Sequence, residues 1–179
     1  NGMILQMKEL ACIGCATQGM IDITEGIIAP PHNLPQWYNC PIKKSVADAF
    51  GLPVTYANDA NAAAYGEFWV GSGKVYHSIV FLTLGTGVGG GIIIGDLSID
   101  GENSHGSEFG HIIVDNSPSA RMCGCGQPGH LEAYCSATSL VKRAEQELVA
   151  KARKTTLANR VAKGEELTAL MISEEAEIG

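Results

Sequence analysis

A glycine run between two strand-forming stretches constrains this chain most. Ser78-Ile-Val-Phe-Leu-Thr-Leu84 leads into Gly85-Thr-Gly87-Val-Gly89-Gly90-Gly91, and Ile92-Ile-Ile-Gly95 follows. Glycines 85, 87 and 90 fit a GxGxxG pattern. A dinucleotide fingerprint must open a helix, however, and here a second β-branched run follows. Strand, glycine loop and strand make a hairpin. Its bare backbone amides can cradle an anion such as phosphate, with Thr83 and Thr86 adding hydroxyl donors. A tight turn in a buried sheet is the plainer reading, but five glycines in seven residues exceed what a turn requires.

A second dense stretch runs from His105 to Glu132. It places Glu108 and His111 three apart, then Cys123-Gly-Cys125-Gly-Gln-Pro-Gly-His130, then Glu132. Two thiols and two imidazoles form a Cys2His2 set, a common tetrahedral zinc arrangement, and Gly124, Gly126 and Gly129 let the backbone fold tightly around an ion. The spacing is nonstandard. The competing readings are a metal-free Cys123/Cys125 pair and His111 as a satisfied core histidine. Glu108 and Glu132 add a polar pocket beside the cluster.

The remaining chain reads as α/β. A buried strand is expected over 8–16, carrying Cys12 and Cys15 as buried small residues, then a turn and a short strand through Ile27-Ile28. Pro30 to Trp37 is a proline-bounded loop with Asn33 inside it, and reads either as a surface connection or as a polar grip over an apolar floor. A helix is expected from Pro41 to Phe50, ended by Gly51, and then a short strand over Leu52–Ala57. An alanine-rich helix follows, capped by Asn58 or Asp59. Asp59 lies where a strand feeds a helix N-terminus, the end of the sheet where open α/β folds place ligands, although capping alone would also explain it. A long helix is expected from about Leu131 to Lys154, and further helix to residue 179 with a break near Gly164. No internal repeat is present.

Bulk properties exclude several classes. With 179 residues and net charge −7, the chain offers no basic run for nucleic acid. No apolar run reaches the ~20 residues of a membrane span, and no signal-peptide pattern is seen. Six cysteines at these spacings suit a cytoplasmic metal protein better than a disulfide framework.

Taken together, the motifs resemble the ROK sugar kinases, the family of bacterial glucokinases, fructokinases and N-acetylmannosamine kinases. The resemblance rests on His32-Asn-Leu-Pro-Gln-Trp37, NDANAAAYGE at 58–67, LTLGTGVGGGI at 82–92, GSEFGH at 106–111 and CGCGQPGHLEAYCSA at 123–137. It implies an actin-like ATPase (ribonuclease H-like) fold of two α/β lobes with a small zinc-binding insertion. On that pattern residues 1–57 end the N-terminal lobe, and 58–179 belong to the C-terminal lobe. It makes Asp59 the catalytic base and Asn33, Asn58, Glu108, His111 and Glu132 the sugar ligands. Gly85, Thr86 and Gly87 become the phosphate contact, and His111, Cys123 and Cys125 the zinc ligands. His130 replaces the family's last cysteine. The implied reaction is ATP- and Mg²⁺-dependent phosphorylation of a hexose, glucose by default, in a cytoplasmic homodimer with structural Zn²⁺. The family's Asp-Gly-Gly-Thr phosphate loop and adenosine motif do not occur in this sequence, so it is expected to be the central piece of a longer kinase with little activity alone. The alternative within the family is the sugar-sensing domain of a transcriptional repressor. A nonenzymatic zinc-binding structural domain is a third reading.

Overall fold

A computed structural model describes residues 10–29, 37–151 and 155–178. The chain forms two compact units, Asn1–Leu82 with Gly90–Glu108, and Thr83–Gly89 with Phe109–Gly179.

The first unit opens with β1 (Ile13–Thr17), then the antiparallel pair β2 (Ile21–Asp22) and β3 (Ile27–Ile28). Helix α1 (Ile42–Phe50) returns the chain to β4 (Val54–Asn58), which pairs parallel with β1 from Ile13–Val54 to Thr17–Asn58. Pro41 occupies the N-cap of α1, a position adjoining helix donors that have no intrahelical acceptor. Gly51 ends α1 in the left-handed region at φ 66°, with its N–H on the Ala47 carbonyl. Ile21, Ile28 and Tyr56 form a buried cluster against which Cys15, Ile23 and Ile42 pack. Cys12, expected to be buried, is exposed, because the strand begins only at Ile13; Cys15 is half-buried at the cluster edge.

Helix α2 (Asp59–Trp69) follows β4 directly. The three-stranded sheet then comprises β5 (Ser78–Leu84), β6 (Val88–Ile94) and β7 (Leu97–Ser98), in that order. Only Gly85–Gly87 separate β5 from β6, so the two neighbours form a hairpin; parallel pairing would need a crossover of a dozen residues or more. The loop is shorter than the glycine run suggests, because Gly89, Gly90 and Gly91 lie inside β6. Gly91 shows why: a Cβ there would sit 2.3 Å from the Ala64 Cβ of α2. Glycine facing alanine lets this helix and strand approach at backbone distance.

The second unit holds the hairpin tip, a 3₁₀ turn at Phe109–His111, the Cys/His loop and helices α3 (Glu132–Cys135), α4 (Ala137–Lys151), α5 (Thr156–Ala162) and α6 (Ala169–Ile178). The single helix expected from Leu131 to Lys154 is broken at Ser136, where ψ swings to 156°. Ser136 is buried, and its Oγ accepts the Ser139 N–H at 3.1 Å, which starts a new helix in the manner of an N-cap. Ser139 Oγ in turn donates to the Glu132 carbonyl at 2.8 Å, which also accepts the Ser136 N–H at 3.2 Å. Gly164, with φ 92°, lies between α5 and α6, where the break is expected. Among the described residues, no helix is long and apolar enough to cross a membrane.

Candidate active site

In the first unit the chemistry gathers at the carboxyl end of the β1/β4 pair. Asn58 is the cap of α2: its Oδ1 accepts the Ala60 N–H at 2.9 Å and the Asn61 N–H at 3.4 Å. Its Nδ2 donates to the Gly19 carbonyl at 3.3 Å, which ties the strand end to the loop after β1. Asp59, relieved of the capping role, is the first residue of the helix and is exposed. Its Oδ1 accepts the Ala60 N–H at 2.9 Å. Asn33 lies outside the described residues.

Sequence reasoning missed Asn61. It is 4% exposed in an otherwise apolar helix face, and its Nδ2 donates to Asp100 Oδ1 at 2.8 Å. Ser98 Oγ donates to the same oxygen at 3.0 Å. The pair fixes the start of the 100–108 loop that carries Glu108, which is itself exposed. The available signal was a buried-register asparagine three residues after Asn58. Just before Glu108, Ser107 holds φ 71°, a left-handed conformation that costs a non-glycine residue about 1–2 kcal/mol.

In the second unit the hairpin tip is stitched to α4. Ala137 N–H donates to the Gly85 carbonyl and Thr138 Oγ1 to the Thr86 carbonyl, both at 2.9 Å. Thr83 Oγ1 accepts the Gly89 N–H at 3.2 Å. The tip therefore stands beside the N-terminus of a fifteen-residue helix, an environment that favours anions. A groove of about 430 Å³ runs past it, lined among others by Thr86, Arg121, Glu132, Ser136, Thr138 and Lys142. Arg121, Thr138 and Lys142 were not singled out by the sequence.

The Cys/His loop is a knuckle. Cys123 N–H donates to the Gln127 carbonyl, and Gly126 N–H returns to the Cys123 carbonyl. Tyr134 braces the loop from outside: its hydroxyl donates to Asp115 Oδ2 at 2.6 Å and accepts the Arg121 N–H at 2.8 Å. That hydrogen bond is the main reason the Asp115 carboxyl is held below the usual carboxylate range. The knuckle brings ligand atoms of His111, Cys123, Cys125 and His130 within 4.8 Å of one another. His130 Nδ1 lies 3.2 Å from both His111 Nδ1 and Cys125 Sγ. A tetrahedral zinc ion with ordinary Zn–N and Zn–S bonds needs ligand separations of about 3.3–3.8 Å. The donor set suits that ion, the 3.2 Å pairs lie close to this range, and the widest separation in the cluster, up to 4.8 Å, exceeds it. Burial pushes the Cys123 thiol up to about 11, opposed by the backbone hydrogen bond from Cys125 and reinforced by the Glu132 carboxylate. A divalent cation would reverse that preference, since metal binding displaces the thiol proton. Both imidazoles meet through Nδ1, which leaves Nε2 of the exposed His111 available to another partner.

A ROK family model matches residues 2–178. This chain belongs to the ROK family. Over 133 residues the ROK chain is 41% identical to the glucokinase of Thermotoga maritima, covering 74% of its own length and 41% of that protein's. The ROK family glucokinase of Streptomyces griseus in complex with glucose and AMPPNP superposes with a TM-score of 0.77 at 36% identity, over 95% of this chain and 54% of that one. A ROK family transcriptional regulator, a homologue of the E. coli MLC protein, superposes with a TM-score of 0.81 at 26% identity, over 94% of this chain and 41% of that one. The α/β fold is thus shared with ROK kinases, which have the actin-like ATPase fold. The chain spans 41–43% of the length of four curated glucokinases that it matches.

Proposed function

We propose that this ROK chain is the sugar-binding and phosphate-contacting part of an ATP-dependent hexose kinase, with glucose as substrate. One observation carries the reading: Asn58 takes over the helix cap and leaves Asp59 exposed at the carboxyl end of a parallel strand pair. A sugar hydroxyl is a poor nucleophile at neutral pH. Asp59 accepts its proton as the oxygen attacks the γ-phosphorus, and the bond to the β,γ-bridging oxygen breaks in line. Mg²⁺, when bound with ATP, neutralises charge on the β- and γ-phosphates. Gly85, Thr86 and Gly87 are assigned to the transferring group. The Gly85 N–H donates to the Gly87 carbonyl at 3.0 Å and shapes the tip. The Thr86 and Gly87 amides are assigned as the donors, and the α4 N-terminus beside them adds its dipole.

Asn33, Asn58, Glu108, His111 and Glu132 are assigned to the hexose hydroxyls. The carboxylates among them accept two bonds at each oxygen, which suits adjacent hydroxyls. Zn²⁺ is assigned to His111, Cys123, Cys125 and His130 as a structural ion, so that His111 joins the metal scaffold to the sugar through its second nitrogen. The division into lobes near residue 57, a cytoplasmic location and a homodimer belong to the same reading.

A second reading, the sugar-sensing domain of a repressor, draws on the superposition on a transcriptional regulator, which stands beside those on ROK kinases. A sensor needs neither a base at Asp59 nor an intact phosphate tip, and this chain has both. A thermal-shift panel of hexoses, run with and without AMPPNP and a zinc chelator, separates the readings. A kinase gains stability from AMPPNP as well as from sugar, and a sensor from sugar alone. Absence of stabilisation by any hexose contradicts both. Zinc bound stoichiometrically and lost in His130→Ala, but kept in His130→Cys, is expected for the four-ligand site.

A further inference from the structure

Glu132 touches more than a sugar ligand needs to touch. It is the first residue of α3, two positions after His130. Its Oε2 accepts the N–H of Val88 at 3.0 Å, and its Oε1 lies 3.5 Å from Cys123 Sγ. The fit against the hairpin is close: a Cβ on Gly87 would come within 2.4 Å of Oε2. Val88 itself is buried, so without Glu132 its amide would lose a charged acceptor in a place that water reaches poorly. Glycine at 87 thus has a second task besides baring its amide, namely leaving room for this carboxylate.

We infer that Glu132 is a positioning residue for the hairpin tip, holding Gly85–Gly87 where the phosphoryl donor meets them. The clamp rests on geometry alone, and the identity of the donor rests on the kinase reading above. Each carboxylate oxygen can accept twice, so the bond to Val88 leaves capacity for sugar hydroxyls. One side chain then contacts the hexose and the hairpin together, and occupancy of the sugar site is transmitted to the phosphate site through a single carboxylate.

The test combines amide exchange at Val88 with hexose and AMPPNP affinities in three variants. Glu132→Ala is expected to speed Val88 exchange and to weaken AMPPNP binding, each by about tenfold or more, since a hydrogen bond to a charged group is lost. Glu132→Gln keeps an oxygen for Val88, so exchange and AMPPNP affinity stay near wild type while hexose affinity falls. Gly87→Ala pushes the carboxylate away without altering it and should reproduce the Val88 effect. Combined with Glu132→Ala, it should add little, because both changes break one contact. Unchanged Val88 exchange in both Glu132→Ala and Gly87→Ala, or strictly additive effects, would overturn the clamp. Wild-type protein that binds neither hexose nor AMPPNP, while Val88 exchange still responds to Glu132→Ala, would overturn the kinase reading and uphold the clamp.

Discussion

Gly129 and Gly126 offer a matched pair of perturbations in the metal knuckle. Both have left-handed backbones, with φ 80° and 88°. A Cβ on Gly126 would meet nothing within 4 Å, whereas a Cβ on Gly129 would sit 1.9 Å from the Asp115 carbonyl oxygen. Gly126→Ala should therefore cost only the left-handed penalty, about 1–2 kcal/mol. Gly129→Ala bears the same penalty and must also separate two backbone segments by about 1.1 Å, since real Cβ contacts essentially never fall below 3.0 Å. That movement disrupts the bonds from Val114 N–H and Asp115 N–H to the Gly129 carbonyl, now 2.8 and 3.2 Å. At roughly 0.5–1.5 kcal/mol each, the total reaches about 2–5 kcal/mol. Native-state amide exchange at Val114 and Asp115 reads this directly, with each 1.4 kcal/mol appearing as about a tenfold change. Exchange should rise by roughly 5–30-fold for Gly126→Ala and by a further factor of about five or more for Gly129→Ala. Equal effects of the two substitutions would refute the contact argument, and with it the view that the loop carrying His130 is held at backbone distance from Asp115.

Two further perturbations test the packing and the bracing. Gly91→Ala places a methyl 2.3 Å from the Ala64 Cβ. It should destabilise the protein by about 1–3 kcal/mol in urea unfolding, with partial recovery in Gly91→Ala/Ala64→Gly. Tyr134→Phe removes the main cause of the lowered Asp115 carboxyl pKa. A carboxyl depressed by folding stabilises above the unfolded value near ~3.9, and that stabilisation is lost as pH falls through the folded pKa. The Asp115 carboxyl should titrate higher in Tyr134→Phe by NMR. The stability gap to wild type should be widest at neutral pH and should close on acidification.

The local grammar of the chain was legible wherever backbone chemistry decides. Pro41 and Gly51 bracket α1, Asn58 caps α2, and a glycine hairpin follows a β-branched run, each for reasons of φ, donors and caps. The four knuckle residues were legible too, because N and S donors among glycines have few other uses. What escaped depended on partners distant in sequence. Gly91 is a strand residue because of Ala64, nearly thirty residues earlier. Ser136 breaks a helix whose periodicity continues through it, because Ser139 and the Glu132 carbonyl complete its bonds. Cys12 reads as apolar but lies just beyond the strand that would have buried it. Asn61 looks like one more polar residue in an alanine helix until Asp100 is found opposite. The second contact of Glu132 is equally invisible in a motif that marks it only as an acid after a histidine.

Asp59 is proposed as the base of a hexose kinase. The most direct measurement is ATP-dependent phosphorylation of glucose by the complete gene product, wild type against Asp59→Asn, alongside glucose affinity. Loss of the base should lower kcat by about 10²–10⁴-fold with glucose binding retained. Wild-type protein that phosphorylates no hexose, or an Asp59→Asn variant with undiminished kcat, would contradict it.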